Sequence, residues 1–319
     1  MISLIVTHYN EPFEVMKPLL DSIKMQLGFN FENLEVIIVE DYDNPISEIV
    51  GYPFEIRIIT QGHKGVSAAR NFGLAESKGE YVMFCDCDDQ FISLYALHLY
   101  DTHNQFKVVK SPFVEDQVVD GELKLIRHDH DTTFIHGKMF NKAFLMENNL
   151  KFNEELTIHE DSFFIVLCDI IAGDSKYEMS PAVYLWKYNE NSIVRKDREM
   201  FVFKTYDHLM KCRMALCKEL YERGFINEFY QAICKTVMDS YYDFQKDCVF
   251  NPEYKDVVNK AYKSFRKFFN EYEEFYRDIS LPDKAQMMFM SRSMSYSKGF
   301  LFEHETLKDF LNRGDKPFI

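Results

Sequence analysis

Short apolar runs alternate with amphipathic stretches along the first third of the chain. Ser3–Thr7 reads as a buried strand. From Pro12 to Leu27 the apolar residues Phe13, Met16, Leu20, Ile23 and Leu27 recur near helical spacing, and Pro18 marks a kink or the true start. "LEVIIVE" (Leu34–Glu40) and "EIRIIT" (Glu55–Thr60) read as the second and third strands. Gly62 and Gly65 punctuate a loop that opens a helix, "VSAARNFGLAES", and Tyr81–Cys85 is a fourth strand. Strands separated by helices predict a parallel sheet with right-handed crossovers. Ligands of such sheets bind beyond the carboxyl ends of the strands. Thr7-His8-Tyr9-Asn10, Asp41, Gly62–Lys64 and Asp86–Asp89 all fall at such ends.

The pattern changes after residue 105. "KVVKSPFVEDQVVDGELKLIRH" predicts strand, loop and hairpin, with Asp120-Gly121 as the turn. "TTFIHGKMFNKAFLMENN" predicts a short strand and a helix, and "HEDSFFIVLCDIIAG" a helix with acids in its first turn. "SPAVYLWKYNENSIVRK" predicts a strand followed by a polar, basic loop. From about Arg198 the periodicity is helical throughout. One helix is expected to stop at Gly224, another to start at Asn251-Pro252, and Pro282 to open a further one. The expected division is therefore an α/β domain over 1–195 and a helical domain over 196–319.

Composition adds bounds. The chain has 319 residues, 46% apolar and 28% charged, as in ordinary globular proteins. Its net charge of −14 counts against nucleic acid as the partner, although "KSFRKFF" is a local basic patch. No apolar run is long enough for a transmembrane helix, and "MISLIVTHYNEP" lacks the features of a signal peptide. Seven cysteines without regular spacing point to a reducing, cytoplasmic setting.

The densest chemistry is in "YVMFCDCDDQF", an apolar strand ending in Asp86-Cys87-Asp88-Asp89. Like charges this close need a metal ion, a basic neighbour or solvent. Residues two apart on an extended segment share a face, so Asp86 and Asp88 can converge on a hard cation such as Mg²⁺ or Mn²⁺. Cys87, between two acids, reads as a small spacer. His128, His130 and His136 raise a zinc reading that irregular spacing and the lack of a cysteine partner count against.

Five stretches carry a resemblance in a consistent order. "LIVTHYNE", "VIIVEDYDN", "GVSAARNFGL", "GEYVMFCDCDD" and "HEDSFF" resemble the first strand and its Tyr-Asn-Glu turn, the acidic end of the second strand, the Ala-Arg-Asn-x-Gly helix, the Asp-x-Asp strand and the Glu-Asp motif of the family 2 GT-A inverting glycosyltransferases. The likeness covers roughly residues 1–195, and the helical tail has no such match. It implies a GT-A fold: a Rossmann-like, mostly parallel sheet flanked by helices. An all-helical C-terminal region would follow.

The resemblance also implies roles. Asp88 is the direct metal ligand, with Asp86 supporting it or orienting the ribose; the cofactor is Mn²⁺ or Mg²⁺. Asp161 is the general base, with Glu160 beside it and His159 near the acceptor or on the surface. Thr7, Tyr9, Glu11, Asp41, Lys64, Arg70, Asp86 and Arg195 bind the nucleotide sugar. Glu40-Asp41-Tyr42 stands where Asp-Asp-Gly is usual, so which acid meets the base stays open. Lys187, Arg195 and Lys196 lie where the family closes a loop over the diphosphate, and Trp186 lines a sugar pocket or the core.

The expected function is hexosyl transfer from a nucleotide-diphosphate donor, a UDP-sugar first of all, to a hydroxyl of a glycan or related polymer. The tail would bind acceptor, a partner subunit or a second copy. The competing readings are the same chemistry on a modified nucleic-acid base or a protein side chain, and a nonenzymatic nucleotide-sugar-binding protein.

Overall fold

The structure is a computed structural model, which describes residues 1–41, 46, 49–119, 122–189, 198–297 and 304–319. It divides into two compact units, 1–190 and 191–319.

The first unit is built on a seven-stranded sheet of order β10-β6-β9-β4-β1-β2-β3. Its strands are β1 (Ile2–His8), β2 (Leu34–Glu40), β3 (Glu55–Thr60), β4 (Tyr81–Asp86), β6 (Val108–Lys110), β9 (Lys138–Asn141) and β10 (Lys176–Glu178). β1 runs parallel to β2 and β4, β2 parallel to β3, and β10 parallel to β6, while β9 is antiparallel to both its neighbours. The sheet is therefore mixed but mostly parallel, as the alternating pattern predicts. The helices of this unit are α1 (Phe13–Lys24), α2 (Val66–Glu76), α3 (Ala96–Thr102), α4 (Lys142–Glu147) and α5 (Glu160–Ala172). α1 includes Pro18 in its interior, so that residue is neither its start nor its end.

β1 and β2 are almost entirely buried, which explains their mainly apolar runs. Their polar exceptions pair with each other: Ser3 Oγ donates to Glu35 Oε1 at 2.6 Å, and Glu35 also accepts from Lys78 N and Arg57. Register places the chemistry. Thr7 of β1 lies opposite Asp86 of β4, and His8 lies opposite Glu40 of β2, so these residues share one end of the sheet.

A smaller four-stranded sheet, β5-β11-β7-β8, is made of β5 (Gln90–Phe91), β7 (Phe113–Val119), β8 (Glu122–His128) and β11 (Tyr184–Trp186). It pairs β5, just after the acidic strand end, with β11. The β7–β8 hairpin forms as expected, but its predicted turn, Asp120-Gly121, lies outside the described residues.

The second unit is helical: α6 (Arg198–Lys204), α7 (Tyr206–Glu222), α8 (Ile226–Asp243), α9 (Lys255–Asp278), α10 (Leu281–Ser297) and α11 (Leu307–Asn312). The stretch read as one helix up to Gly224 is two, separated at Thr205. Asn251 caps a short turn before α9, its side chain accepting from Glu253 N, as the Asn-Pro signal predicts. Aromatic rings fill its core: Phe244, Tyr262, Phe310 and Phe318 meet at centroid distances of 4.9–6.2 Å. None of the seven cysteines, all of them among the described residues, is in a disulfide. Among the described residues no helix is long and apolar enough to cross a membrane.

One close approach sets the position of α2. A Cβ added at Gly73 would stand 2.4 Å from Ile5 Cγ2 and 3.1 Å from Val39 Cγ2, so only glycine lets this helix close on β1 and β2. Gly73→Ala is expected to destabilise the first unit by about 1–3 kcal/mol, despite alanine's better helix propensity. Urea unfolding measures it, and an unchanged midpoint would show that the helix can retreat without cost.

Candidate active site

Arg70 of α2 is the centre of the site. It is buried, with 3% exposure. Its Nη1 donates to Asp161 Oδ1 at 2.6 Å and to Glu160 Oε1 at 3.1 Å, and its Nη2 donates to Asp86 Oδ1 at 3.1 Å. The guanidinium also lies over the Phe152 ring, 5.1 Å from its centroid. One buried cation thus joins the acid that ends β4 to the two acids that open α5. Burial works against the Arg70 charge, but Asp161, Asp86 and Glu160 outweigh it and hold the guanidinium firmly protonated. Burial likewise penalises the Asp86 carboxylate, and Arg70 more than offsets this, keeping Asp86 below the usual carboxylate range.

Asp161 behaves differently. Its Oδ2 accepts from Ile135 N at 3.0 Å. Burial, with the like charges of Glu160 and Asp86, outweighs Arg70 and pushes its carboxyl up to about 7. His159, just before it, has a left-handed backbone (φ 68°), and its carbonyl accepts from Phe163 N to start the helix. Strained conformations of this kind concentrate at functional sites.

The acids after β4 separate by environment. Thr7 Oγ1 donates to Asp86 Oδ1 at 3.4 Å. Asp88 is half-buried and accepts from Asn189 Nδ2 at 2.9 Å; burial, then Asp86 and Glu11, raise its carboxyl above the ordinary value. Asp89 is wholly buried and accepts from Tyr184 OH at 2.8 Å and Lys187 N at 3.0 Å. It ties β11 and the segment beyond to the acidic strand end, a role its place in the sequence does not reveal. Burial, then Asp86 and Asp88, push Asp89 well up, and burial, then the surrounding acids, do the same to the Cys87 thiol. Cys87 is therefore a neutral thiol, in keeping with a spacer.

His136, one of the histidines weighed for zinc, also reaches this site. It is buried, and burial lowers its imidazole to about 4, so it is neutral. It stacks on Tyr184 and Trp186, with centroids 5.3 Å away in each case. Its Nδ1 is 3.4 Å from Asp89 Oδ2 but makes no hydrogen bond. One ligand atom each from Asp86, Asp89 and His136 lie within 4.8 Å of one another. His128 and His130 are elsewhere, paired with Glu115 and Glu178.

The other strand ends hold the remaining sequence candidates. Tyr9 is 54% exposed and meets His63 edge-on at 5.8 Å. Glu11 Oε2 accepts from Tyr9 N at 2.7 Å, and the Glu11 carbonyl accepts from His8 Nε2 at 2.8 Å, so Glu11 braces the turn after β1. Glu40 is fully buried against His8 Nδ1 at 2.7 Å, whereas Asp41 lies closer to solvent. Asp41 accepts from Lys64 N at 2.6 Å and Gly65 N at 2.8 Å, which fixes the loop before α2. The Lys64 side chain is exposed. Arg195 and Lys196 lie outside the described residues, and so does Tyr42.

Local charge bears on whether a divalent cation fits. Arg70 answers Asp86, Glu160 and Asp161. Asp88 has the neutral amide of Asn189, and burial first, then the like charges of Asp86 and Glu11, raise its carboxyl. The carboxylate oxygens of Asp86 and Asp88 are a hard donor set of the kind that suits Mg²⁺ or Mn²⁺.

Residues 3–171 match the family described as Glycosyl transferase family 2. The chain is 27% identical over 221 residues to the uncharacterized glycosyltransferase EpsJ of Bacillus subtilis, a match covering 60% of this chain and 62% of EpsJ. It is 28% identical over 211 residues to the minor teichoic acid biosynthesis protein GgaB of Bacillus subtilis, covering 59% of this chain and 23% of GgaB. It thus spans about three fifths of the length of EpsJ and a smaller part of GgaB. Among solved structures it is similar to S. aureus TarS 1-349 in complex with UDP, with a TM-score of 0.54 and 15% identity over 96% of this chain and 94% of that one. A second TarS 1-349 structure, in complex with UDP-GlcNAc, aligns with a TM-score of 0.55 at 16% identity over 94% of this chain and 93% of that one. At these identities the likeness concerns the fold.

Arg70→Met is expected to destabilise the first unit by about 3–5 kcal/mol at pH 8, because it strands buried carboxylates. Without the cation their folded pKa values rise above the unfolded ones, so the folded state binds more protons and stability falls as pH rises. The deficit should shrink at pH 5. Urea midpoints at the two pH values test this, and an equal deficit at both would mean that the carboxylates find another partner.

Proposed function

The chain belongs to glycosyl transferase family 2, and from that membership we propose that it transfers a sugar from a nucleotide-diphosphate donor to an acceptor hydroxyl with inversion at the anomeric carbon. The observation that carries this reading is the Arg70-linked set of Asp86, Glu160 and Asp161 at one end of the sheet, with Asp161 raised to about 7. A carboxylate tuned to that range is suited to take a hydroxyl proton near neutral pH. Direct displacement needs one such base and no covalent intermediate.

In this reading Asp161 accepts the proton of the acceptor hydroxyl as that oxygen attacks the donor's anomeric carbon. Arg70 and Ile135 N–H hold its two oxygens, fixing the carboxylate's orientation. Glu160 shares Arg70 and keeps the local field negative. Tyr9, Glu11, Asp41 and Lys64 shape the nucleotide pocket at the strand ends, with Tyr9 exposed enough to lie against the base. Thr7 orients Asp86. Asp88, with Asp86, would hold Mg²⁺ or Mn²⁺, which when bound offsets the charge of the leaving diphosphate. Trp186 contributes its ring to the aromatic wall formed with Phe134 and His136. Arg195 is assigned to the diphosphate from the sequence alone. TarS has been captured with UDP and UDP-GlcNAc, which makes uridine donors the first to try. The helical unit is assigned to acceptor binding or to association with a partner or a second copy.

Nucleotide release from a panel of UDP-sugars, with Mn²⁺ or Mg²⁺ and a glycan acceptor, tests the reading. Turnover is expected to stop on chelation and in Asp88→Ala. Asp161→Asn should lower kcat by about 10²–10⁴-fold while UDP still binds. The base works ionised, so the rate should fall as pH drops through about 7. Donor binding without turnover across the panel would favour a nucleotide-sugar-binding protein instead.

A further inference from the structure

We propose that Lys138 is a positioning residue for the base: its buried ammonium grips the carbonyls on either side of Ile135 and so aims the Ile135 N–H at Asp161. The inference rests on the assignment of Asp161 as the base. Lys138 opens β9 in the central sheet and is 1% exposed. Its Nζ donates to the Phe134 carbonyl at 2.5 Å and to the His136 carbonyl at 3.3 Å, and lies 3.5 Å from Asp131 Oδ1. The residue between those carbonyls is Ile135, whose N–H reaches Asp161 Oδ2 at 3.0 Å.

The rest of the loop is held to the same end. Asp131 Oδ1 accepts from Thr133 N and Phe134 N, and Ser162 Oγ of α5 donates to the Thr133 carbonyl. Gly137, with φ 64°, turns the chain into β9 where a Cβ would stand 2.7 Å from Ser111 Oγ. A fully buried lysine is costly, and burial pulls the Lys138 ammonium below the ordinary lysine range. Lys110 on β6, opposite it in register, adds to that cost, while Asp131 and Asp161 offset it. An apolar side chain would fill the same space without the penalty. The ammonium supplies what such a side chain lacks: donors for two carbonyls and a positive charge facing the base. Asp161 is thus faced by Arg70 from α2, Asp86 from β4, Glu160 from its own helix, and Lys138 from β9.

The test uses Lys138→Met in the full chain, with two readouts: the pH profile of kcat, and the amide resonance of Ile135 in protein labelled with ¹⁵N-isoleucine. In the unaltered protein the Ile135 amide should titrate near pH 7, together with the acid limb of the rate. Losing the cation and loosening the donor disfavours ionised Asp161. Both midpoints should therefore move up by about one unit. Turnover at pH 7 should fall about fivefold, the loss should shrink toward pH 9, and UDP affinity should stay within about twofold. A loss uniform across pH, with the Ile135 titration unmoved, would make Lys138 a packing residue and overturn the proposal. Should Lys138→Met fail to fold, Lys138→Gln still offers an amide to one carbonyl; a smaller upward shift there supports the proposal and no shift refutes it. Failure of the base assignment has a separate signature, full turnover in Asp161→Asn, and leaves the Ile135 readout intact.

Discussion

The first unit depends on how one buried guanidinium is matched to three carboxylates. Asp86 ends a strand and Glu160 and Asp161 begin a helix distant in the chain, and without Arg70 these like charges would drive their elements apart. The segment around Arg70 is built to deliver it there. Gly65, with φ 88°, starts α2; Ala68 and Ala69 are small and buried; and Gly73 brings the helix against β1 and β2. Asn71 holds Phe152 through both its backbone N–H and its carbonyl, each at 2.9 Å, fixing the chain that leads toward α5. "AARNFG" is thus a mechanical unit in which each side chain but Phe72 has an identifiable task.

This explains which parts of the site could be read from the sequence. Strand ends are legible because apolar runs stop abruptly in polar residues, and parallel topology sends those ends to the same edge. Thr7, Asp41 and Asp86 could therefore be placed from the pattern, whereas the acids of α5 were singled out by the resemblance of "HEDSFF" to a family motif. The structure joins Thr7 and Asp86 through β1–β4 pairing, and Asp86 to the acids of α5 through Arg70. The tertiary partners were harder to see. Asp89 looks like one more exposed acid in a run, yet it is fully buried, because its partners, Tyr184 and Lys187 N, arrive from a remote strand. His136 drew attention only as a zinc candidate, and Lys138 drew none. The available signal was a lysine set directly between glycine and the apolar pair Met139 and Phe140. Charge at a buried position indicates a paired or working group. The split of one predicted helix at Thr205 had no comparable signal.

In the proposed reading, the acids of the site serve two electrostatic needs that conflict. A base for a hydroxyl proton has to be ionised yet retain affinity for protons near neutral pH, which calls for burial with incomplete compensation. A ligand for a hard cation calls for surplus negative charge near solvent. One uniform acidic cluster would meet neither need well, because strong pairing with Arg70 would depress every carboxyl and the absence of pairing would raise every one. The fold separates them by giving Arg70 to one group alone. Asp86 takes its charge and stays low, Asp161 shares it with Glu160 and rises, and Asp88 lies beyond its reach beside Asn189. Asp86 stands at the boundary, bonded to the cation of the base cluster while its charge raises both Asp161 and Asp88. Neutralising Asp86 would therefore lower the proton affinity of both groups together, so the carboxyls proposed as base and as cation ligand are electrostatically coupled through one strand-end residue.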